Sequence, residues 1–323
     1  GSGKTQVTMR FCEQALERGE RPLLLCFNRP LRDQRADMAP EGVTVDTYHG
    51  FCKTQAERVG VEIDFKKSEE EGFWRDIQEQ LLGATLAGAP KFDCLVVDEG
   101  QDFKADWYVI LQMFLADDST QLWLEDPLQN LRGTDPVELP GFVTYRESAN
   151  FRTPISIAGF IKGTLESEFE QRNLLPGLGV ALYDYEEPPE IESILQRRIL
   201  ELSKVGFKPE DIAIVSCRGT QSTALAETVQ IGRHKLRKFT GKYDANNNQI
   251  YTEGELRFET IFRFKGQQAP CVILVDLDES IKKSDWSTGI LYCAMTRPTV
   301  RLELIVQKDC PWLETFQENI DQE

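Results

Sequence analysis

The first five residues, Gly1-Ser2-Gly3-Lys4-Thr5, constrain the fold most, because they match the second half of a phosphate-binding loop that runs into a helix. In such a loop, backbone N–H groups surround the phosphates, the lysine contacts the β and γ oxygens, and the hydroxyl holds Mg²⁺. We therefore assign Gly1, Ser2, Gly3, Lys4 and Thr5 to a nucleoside triphosphate, and Thr5 also to Mg²⁺. The first glycine of the loop and the strand before it are expected upstream of residue 1. These five residues alone also fit an ordinary turn before a helix.

Short apolar runs alternate with helical patterns in the next part of the chain. Apolar residues at helical spacing extend from Val7 to Leu16, and Gly19 ends that pattern. The run Pro22–Phe27 has the composition of a buried parallel strand, and Val43–Phe51 predicts a second strand followed by a turn. Strand, helix and strand in this order indicate an α/β sheet.

Two adjacent carboxylates, Asp98 and Glu99, directly follow the apolar run Cys94–Val97. They would lie at the C-terminal edge of a parallel sheet, where open α/β sheets bind their ligands. In an enzyme with a phosphate-binding loop, Asp98 would hold the Mg²⁺ that Thr5 also reaches. Glu99 would orient and deprotonate the attacking water.

A further strand, Gln121–Leu124, leads into a loop that contains Gln129. A glutamine in this position can sense a γ-phosphate, although such a residue is more often an ordinary loop amide. The second half repeats the strand and helix pattern, with apolar strands at 211–217, 271–275 and 302–306. We therefore predict two domains, residues 1–145 and residues 146–323, and we interpret the polar segment 52–91 as a small insertion or cover.

Composition narrows the functional class. The net charge of −16 argues against a protein that coats nucleic acid through a general positive field. No apolar run approaches the roughly 20 residues needed to span a bilayer, and no signal peptide is visible. The eight cysteines form no C-x-x-C pair, so we expect reduced, buried thiols in a cytoplasmic protein rather than a zinc site. With two histidines, a histidine-based hydrolase or metalloenzyme is disfavoured.

One dense basic stretch, Arg233–Phe239 with Lys242 and Tyr243 beyond it, stands out in this acidic chain. It could contact a phosphate backbone. A solvated strand face is the interpretation that the sequence favours.

A series of short motifs, in order along nearly the whole chain, resembles superfamily 1 helicases of the UvrD/Rep/PcrA type. Most of them are weak individually, and their shared order carries the resemblance. The matching segments are Gly1–Thr5, Leu25–Arg29, Thr47–Phe51, Asp98–Asp102, Glu125–Gln129, Asn150–Thr153, Thr260–Gln268 and Leu291–Arg297.

The resemblance implies two RecA-like P-loop NTPase domains with mainly parallel sheets and a cleft between them that binds ATP and Mg²⁺. Arg152 and Arg297 would stabilise charge on the γ-phosphoryl group, an effect worth about 10³ to 10⁵ in rate where such arginines act. Gln129 would couple that phosphate to the nucleic acid. Phe151 would stack on the adenine, and Gly266 and Gln268 would contact the nucleotide.

The resemblance also implies an ATP-driven motor on a single strand, DNA in preference to RNA, in repair or defence, with a nuclease or repair domain as a fused or separate partner. Residues from both domains would line the path of that strand. They are Phe27, Asn28, Thr47, His49 and Phe262.

Departures from the family pattern leave alternatives open. Glu125 replaces a glycine, Phe262 a histidine and Gln268 a ribose-contacting glutamate, and no aromatic follows Gln129 in Asn130–Gly133. Segments that engage duplex DNA in the family are short or missing. A nucleotide-gated binding or regulatory module with weak or no hydrolysis therefore remains an alternative, as does a small-molecule phosphotransferase.

Overall fold

The computed structural model describes residues 2–61, 63–64, 67, 70, 72–83, 91–244 and 249–320. They fall into two compact units. The N-terminal unit comprises residues from 3 to 145, and the C-terminal unit comprises residues from 146 onward together with Ser2.

The N-terminal unit is built on a four-stranded parallel sheet with the order β2-β1-β3-β4. Its strands are β1 (Pro22–Cys26), β2 (Thr44–Thr47), β3 (Phe92–Asp98) and β4 (Leu115–Trp123). Its helices are α1 (Lys4–Glu17), α2 (Arg29–Met38), α3 (Tyr48–Arg58), α4 (Phe73–Gly83) and α5 (Ala105–Gln112). Cys26 pairs with Asp98 across β1 and β3, so both strands end at the same edge.

Both faces of this sheet are buried, which explains the continuous apolar runs of β1 and β3. Leu23 and Leu25 of β1 belong to a hydrophobic cluster with Phe51 of α3. Leu24, the residue between them, belongs to a second cluster with Cys12 of α1. Because successive side chains of a strand point to opposite faces, β1 contributes to two cores at once.

The prediction for Val43–Phe51 was wrong in its second half. The strand ends at Thr47, and Tyr48 begins helix α3 rather than a turn. The Thr47 side chain accepts a hydrogen bond from the Gly50 N–H at 3.1 Å, which is the geometry of an N-cap. A threonine between two apolar patterns can extend a strand or cap a helix, and local sequence did not distinguish the two.

The C-terminal unit contains a seven-stranded sheet with the order β7-β15-β14-β8-β13-β10-β9, parallel except for β9. Its strands are β7 (Val180–Tyr185), β8 (Ile212–Ser216), β9 (Gln230–Ile231), β10 (His234–Arg237), β13 (Leu256–Thr260), β14 (Ala269–Leu277) and β15 (Pro298–Gln307). A parallel pair, β5 (Ala149–Asn150) and β6 (Glu170–Gln171), and an antiparallel ribbon, β11 (Phe239–Tyr243) and β12 (Gln249–Tyr251), lie outside this sheet. The helices are α6 (Ile155–Leu165), α7 (Glu190–Lys204), α8 (Ile261–Phe264), α9 (Asp285–Met295) and α10 (Leu313–Ile320).

The predicted mixed α/β architecture with mainly parallel sheets is confirmed. All eight cysteines are free and buried, as expected for reduced core thiols. None of the helices formed by the described residues has the length and apolar character needed to cross a bilayer. Part of the predicted insertion, 52–91, and residues 245–248 lie outside the described residues.

Candidate nucleotide and nucleic-acid site

Gly3, the residue that precedes α1, has a backbone conformation that favours glycine. Gly3 has a φ of 83° and precedes the first helical residue, Lys4. That left-handed conformation is strained for residues with a side chain, so glycine at this position has a physical reason. The Lys4 Nζ atom lies 3.6 Å from Asp126 Oδ2, which brings the predicted phosphate lysine to the loop after β4.

The structure does not test the predicted phosphate contacts of two other loop residues. Gly1 lies outside the described residues, and Ser2 groups with the C-terminal unit. Their assignment to the phosphates therefore stays a prediction.

Asp98, the last residue of β3, is buried and ion-paired. Its Oδ2 accepts a hydrogen bond from Arg35 Nε at 2.9 Å, and its Oδ1 accepts one from the Glu99 N–H at 3.1 Å. Burial raises the pKa of Asp98, whereas the nearby cations Arg35 and Lys4 oppose that rise. Arg35, which sequence reasoning did not single out, is therefore the residue that stabilises the ionised form of Asp98.

The carboxylate of Asp98 is compatible with the predicted Mg²⁺ contact. Each oxygen has two lone pairs, so each has one left for water or a cation. Among the described residues, no group of three or more histidine, cysteine, aspartate or glutamate side chains could hold a metal ion. A hydroxyl from Thr5 with one carboxylate and water ligands remains compatible with Mg²⁺, which keeps several waters at most protein sites.

Glu99 adopts a left-handed backbone conformation with a φ of 60°. This conformation costs a non-glycine residue about 1 kcal/mol or more, and such strain is often found at functional sites. The Glu99 Oε2 atom accepts a hydrogen bond from Gln101 Nε2 at 2.7 Å. The predicted general base is therefore held in one orientation by its neighbour.

Gln101 connects the end of β3 to the loop after β4. Its Oε1 accepts a hydrogen bond from the Asp126 N–H at 2.9 Å, and Asp126 Oδ2 in turn accepts one from Gln129 Nε2 at 2.6 Å. Through Asp126, Gln129 is thus linked to Lys4 on one side and to Glu99 on the other. The motifs had included Gln101 and Asp126 without assigning them a role.

Gly100 lies where the packing leaves no space for a side chain. A Cβ atom at this position would lie 2.2 Å from Trp123 Nε1. The indole of Trp123 occupies the space that a methyl group would need. Glycine at this position is therefore explained by the close approach of Trp123 of β4.

The predicted nucleic-acid residues Phe27 and His49 belong to one aromatic cluster in the N-terminal unit. The Phe27 ring stacks on Trp107 with centroids 6.5 Å apart, and the Arg132 guanidinium lies 4.9 Å from the Phe27 ring. His49 contacts Trp107 at 4.9 Å between centroids. Arg132 thus lies beside Phe27 in the loop where the expected aromatic is missing, and a guanidinium plane can also stack on a base.

Positive charge surrounds His49. Burial, and after it the nearby cations Lys104, Arg29 and Arg132, lower its pKa from 6.5 to about 4. The imidazole is therefore neutral at pH 7. The cations beside it supply the positive charge that a phosphate backbone requires.

Two other predicted nucleic-acid residues have structural roles. The Asn28 Oδ1 atom caps α2 by accepting a hydrogen bond from the Leu31 N–H at 2.8 Å. Thr47 caps α3 and is 5% exposed. Both residues hold the loops that carry Phe27 and His49, and a direct contact with a strand stays a prediction for them.

In the C-terminal unit, Asn150 shapes the loop that carries Phe151 and Arg152. The Asn150 Oδ1 atom accepts hydrogen bonds from the N–H groups of Arg152 and Thr153, both at 3.0 Å. This turn leaves Phe151 58% exposed, as a residue that stacks on a ligand would be. The motif therefore depends on a buried asparagine that presents its neighbours.

Arg297 is buried, at 2% exposure. Its guanidinium donates to the Cys293 carbonyl at 2.7 Å, the Thr296 hydroxyl at 2.9 Å and the Gln267 carbonyl at 3.4 Å. Gln267 also accepts a hydrogen bond from Arg257 through its side chain. Sequence reasoning overlooked Gln267, although it lies within a recognised motif.

The remaining predicted residues of this unit lie in the same motif as Gln267. Gly266 has a φ of 80°, Gln268 is exposed, and Phe262 is partly exposed within α8. Their roles toward the nucleotide or the nucleic acid stay predictions.

Residues 255–305 match the family model of the UvrD-like helicase C-terminal domain. This segment contains β13, α8, β14, α9 and most of β15, and with them Phe262, Gly266, Gln268 and Arg297. Among solved structures, the C-terminal domain of a possible DNA helicase from Lactobacillus plantarum WCFS1 matches with 16% identity. That match has a TM-score of 0.37 and covers 52% of this chain and 94% of the other. No curated protein matches the chain.

The family match agrees with the resemblance inferred from the motifs, at the level of the C-terminal domain. The chain contains a segment similar to the UvrD-like helicase C-terminal domain, which suggests a helicase-related function.

Proposed function

We propose that the chain is an ATP-dependent motor, a helicase or translocase, that acts on single-stranded nucleic acid, with DNA as the preferred strand. ATP would be hydrolysed between two RecA-like domains of the UvrD/Rep/PcrA type. A cytoplasmic role in repair or defence, with a fused or separate nuclease or repair partner, belongs to the same proposal.

The observation that carries this proposal is the linkage of predicted catalytic residues at one edge of the N-terminal sheet. Lys4, Glu99 and Gln129 are connected through Gln101 and Asp126. A lysine for phosphates, a carboxylate for water and an amide sensor are the groups that phosphoryl transfer needs from one side of the nucleotide. The family match over residues 255–305 supports the helicase class.

Each residue has a proposed role. Lys4 and the backbone of Gly1–Thr5 would bind the phosphates, and Thr5 and Asp98 would hold Mg²⁺, which neutralises phosphate charge when it is bound. Glu99 would accept the proton of the attacking water, and Arg152 and Arg297 would stabilise the γ-phosphoryl group. Phe151 and Gln268 would contact the base and ribose.

A second candidate is a nucleotide-gated binding module that hydrolyses slowly or not at all. The observation that favours it is the engagement of Arg297, whose guanidinium donates to three groups of its own unit. To contact a phosphate, Arg297 would have to exchange some of those hydrogen bonds for new ones.

The ATPase rate with and without oligo-dT tests the motor, which requires stimulation by the single strand. Glu99→Gln should reduce turnover about a hundredfold or more while ATP still binds, since a positioned base contributes about 10² to 10⁴ in rate. Glu138→Gln, which changes an exposed carboxylate outside the network, is the matched control. A wild-type rate that neither oligo-dT nor Glu99→Gln alters would favour the binding module instead.

A further inference from the structure

A ribbon surface in the C-terminal unit combines aromatic rings with guanidinium groups. We define it by Phe239, Tyr243 and Tyr251 of the β11–β12 ribbon and by Arg237 and Arg263, which stack on them. Arg263 lies 4.1 Å from the Phe239 ring centroid, and Arg237 lies 4.4 Å from that of Tyr251. The Phe239 centroid is 5.5 Å from that of Tyr243 and 6.0 Å from that of Tyr251, so the three rings share one face of the ribbon.

The ribbon surface lies in a positively charged segment of a protein whose net charge is negative. Residues 233–265 contain eight lysines and arginines and four aspartates and glutamates, whereas the whole chain has a net charge of −16. Two of the four carboxylates are engaged locally, Glu259 with Arg263 at 2.8 Å and Glu255 with His234 at 3.0 Å. The charge that remains is positive.

A third arginine reinforces this charge from within. Arg257 is partly buried, and its Nε atom has no hydrogen-bond partner among the described residues. Burial lowers the pKa of Arg257, and the nearby cations Arg237 and Arg263 lower it further, while Glu259 opposes them. Three guanidinium groups with one buried carboxylate are electrostatically incomplete, and an anion on the surface would relieve their repulsion.

The exposed residues of the ribbon surface and of β10 suit the bases and phosphates of a nucleic-acid strand. Tyr243 is 46% exposed at the end of the ring series. Lys235 and Arg237 are both exposed and, two residues apart on β10, point to one face with Leu236 buried between them. A ring face can stack on a base only when that base is unpaired, which favours a single strand over a duplex.

From these contacts we infer that the ribbon surface is a second binding site for single-stranded nucleic acid, separate from the Phe27 and His49 cluster. Arg237 and Lys235 bind phosphates, and an unpaired base stacks on Tyr243. This inference rests on the proposed function, which requires a single strand. It takes up the phosphate contact that the sequence left open for the basic stretch, and it assigns contacts to Lys235, Arg237 and Tyr243, which are not among the predicted site residues.

Fluorescence anisotropy of labelled dT20 and U20 with the full chain tests the surface. Tyr243→Ala should weaken binding about tenfold, since one stacked base contributes about 1–3 kcal/mol, and Tyr243→Phe should restore it. Arg237→Gln should weaken binding and reduce the slope of log K against log salt by about 0.7, as expected for one lost phosphate contact with a single strand. Arg197→Gln, an exposed arginine on α7, is the matched control and should leave both quantities unchanged.

The outcomes separate this inference from the proposed function. If wild type binds dT20 and hydrolyses ATP in response, but Tyr243→Ala and Arg237→Gln bind like wild type, the inference about the ribbon surface is wrong and the proposed motor function is retained. If the variants bind dT20 more weakly while wild type never hydrolyses ATP, the inference about the ribbon surface is retained and the proposed motor function is wrong. Competition by poly-glutamate at the same charge concentration as dT20 would overturn the inference in favour of an acidic protein partner. Tighter binding of U20 than of dT20 would keep the surface and identify RNA as its ligand.

Discussion

Arg35 Nε lies 2.9 Å from Asp98 Oδ2, and the two side chains are 5% and 1% exposed. The pair joins α2 to the end of β3 at the edge where Lys4 and Glu99 also lie. A buried ion pair contributes little net stability, because desolvation offsets the attraction, but the loss of one partner leaves an unpaired buried charge. Arg35 therefore acts on Asp98 as a positioning residue.

Arg35→Met should destabilise the protein by about 3–5 kcal/mol at pH 7, because Asp98 is left buried and unpaired. Urea denaturation measures the effect. The difference in unfolding free energy between wild type and Arg35→Met should decrease as the pH is lowered, because protonation of Asp98 removes the unpaired charge. Arg10→Met, which removes an exposed pair with Glu13, should change the midpoint little. A variant as stable as wild type at pH 7 would contradict the assigned role of the pair.

Gly100→Ala should destabilise the protein by about 1–3 kcal/mol, because the added methyl group meets the Trp123 indole and overpacks the site. The double variant with Trp123→Leu should lose less than the sum of the two single changes. A double-mutant cycle in urea measures this coupling. Strict additivity would mean that the alanine is accommodated elsewhere. Gly159→Ala is a control, since nothing lies within 4 Å of a Cβ atom there.

His49 should make stability fall in mild acid. Its pKa is lowered from 6.5 to about 4 by burial and by neighbouring cations. Between these values the unfolded chain binds a proton that the folded chain does not bind, so stability is full above pH 6.5 and decreases as the pH falls toward 4. From pH 7 to pH 5 we expect a loss of about 1–2 kcal/mol, with allowance for partial exposure.

Urea midpoints of wild type and His49→Gln across this range measure that loss. Because His49→Gln also loses ring contacts, its absolute stability differs from that of wild type, and the pH slope is the relevant quantity. His234→Gln serves as the control. An equal slope in His49→Gln and wild type would show that His49 is not the group responsible.

The cysteines should be unreactive in the folded protein. All eight are buried, and burial raises the pKa of Cys12 to about 12 and of Cys310 to about 11. Because the thiolate is the reactive form, a disulfide reagent at pH 8 should modify the thiols of the native protein slowly. After unfolding in guanidinium, it should modify all eight thiols rapidly. Rapid modification of one native thiol would indicate local opening at that residue.

Much of the parallel framework could be predicted from local pattern. The run Cys94–Val97 was assigned to a strand because it is apolar and bounded by polar residues, and the strand is buried on both faces. The two carboxylates after it lie at the sheet edge because every parallel strand of this sheet ends there. A solvated strand face was predicted for the basic stretch, but the pairing of β11 with β12 was not, since most residues of the ribbon are exposed and carry no burial pattern.

Partners distant in sequence could not be predicted. No local pattern around Arg35 indicates an ion pair with Asp98, 63 positions away. Likewise, no pattern around Gly100 indicates that the Trp123 ring packs against it. The roles of Asn28 and Thr47 as helix caps were overlooked because the family resemblance suggested a ligand for each.

The amino-acid sequence by itself determined most strands of the parallel sheets, the placement of carboxylates at strand ends and the free, buried state of the cysteines. These features follow from hydrophobic periodicity and local backbone preference, which act over a few residues. Only the tertiary structure decided which side chains meet, namely Arg35 with Asp98, Gln101 with Asp126 and Arg263 with Phe239. Such contacts depend on how separate elements pack, and no local pattern specifies that packing.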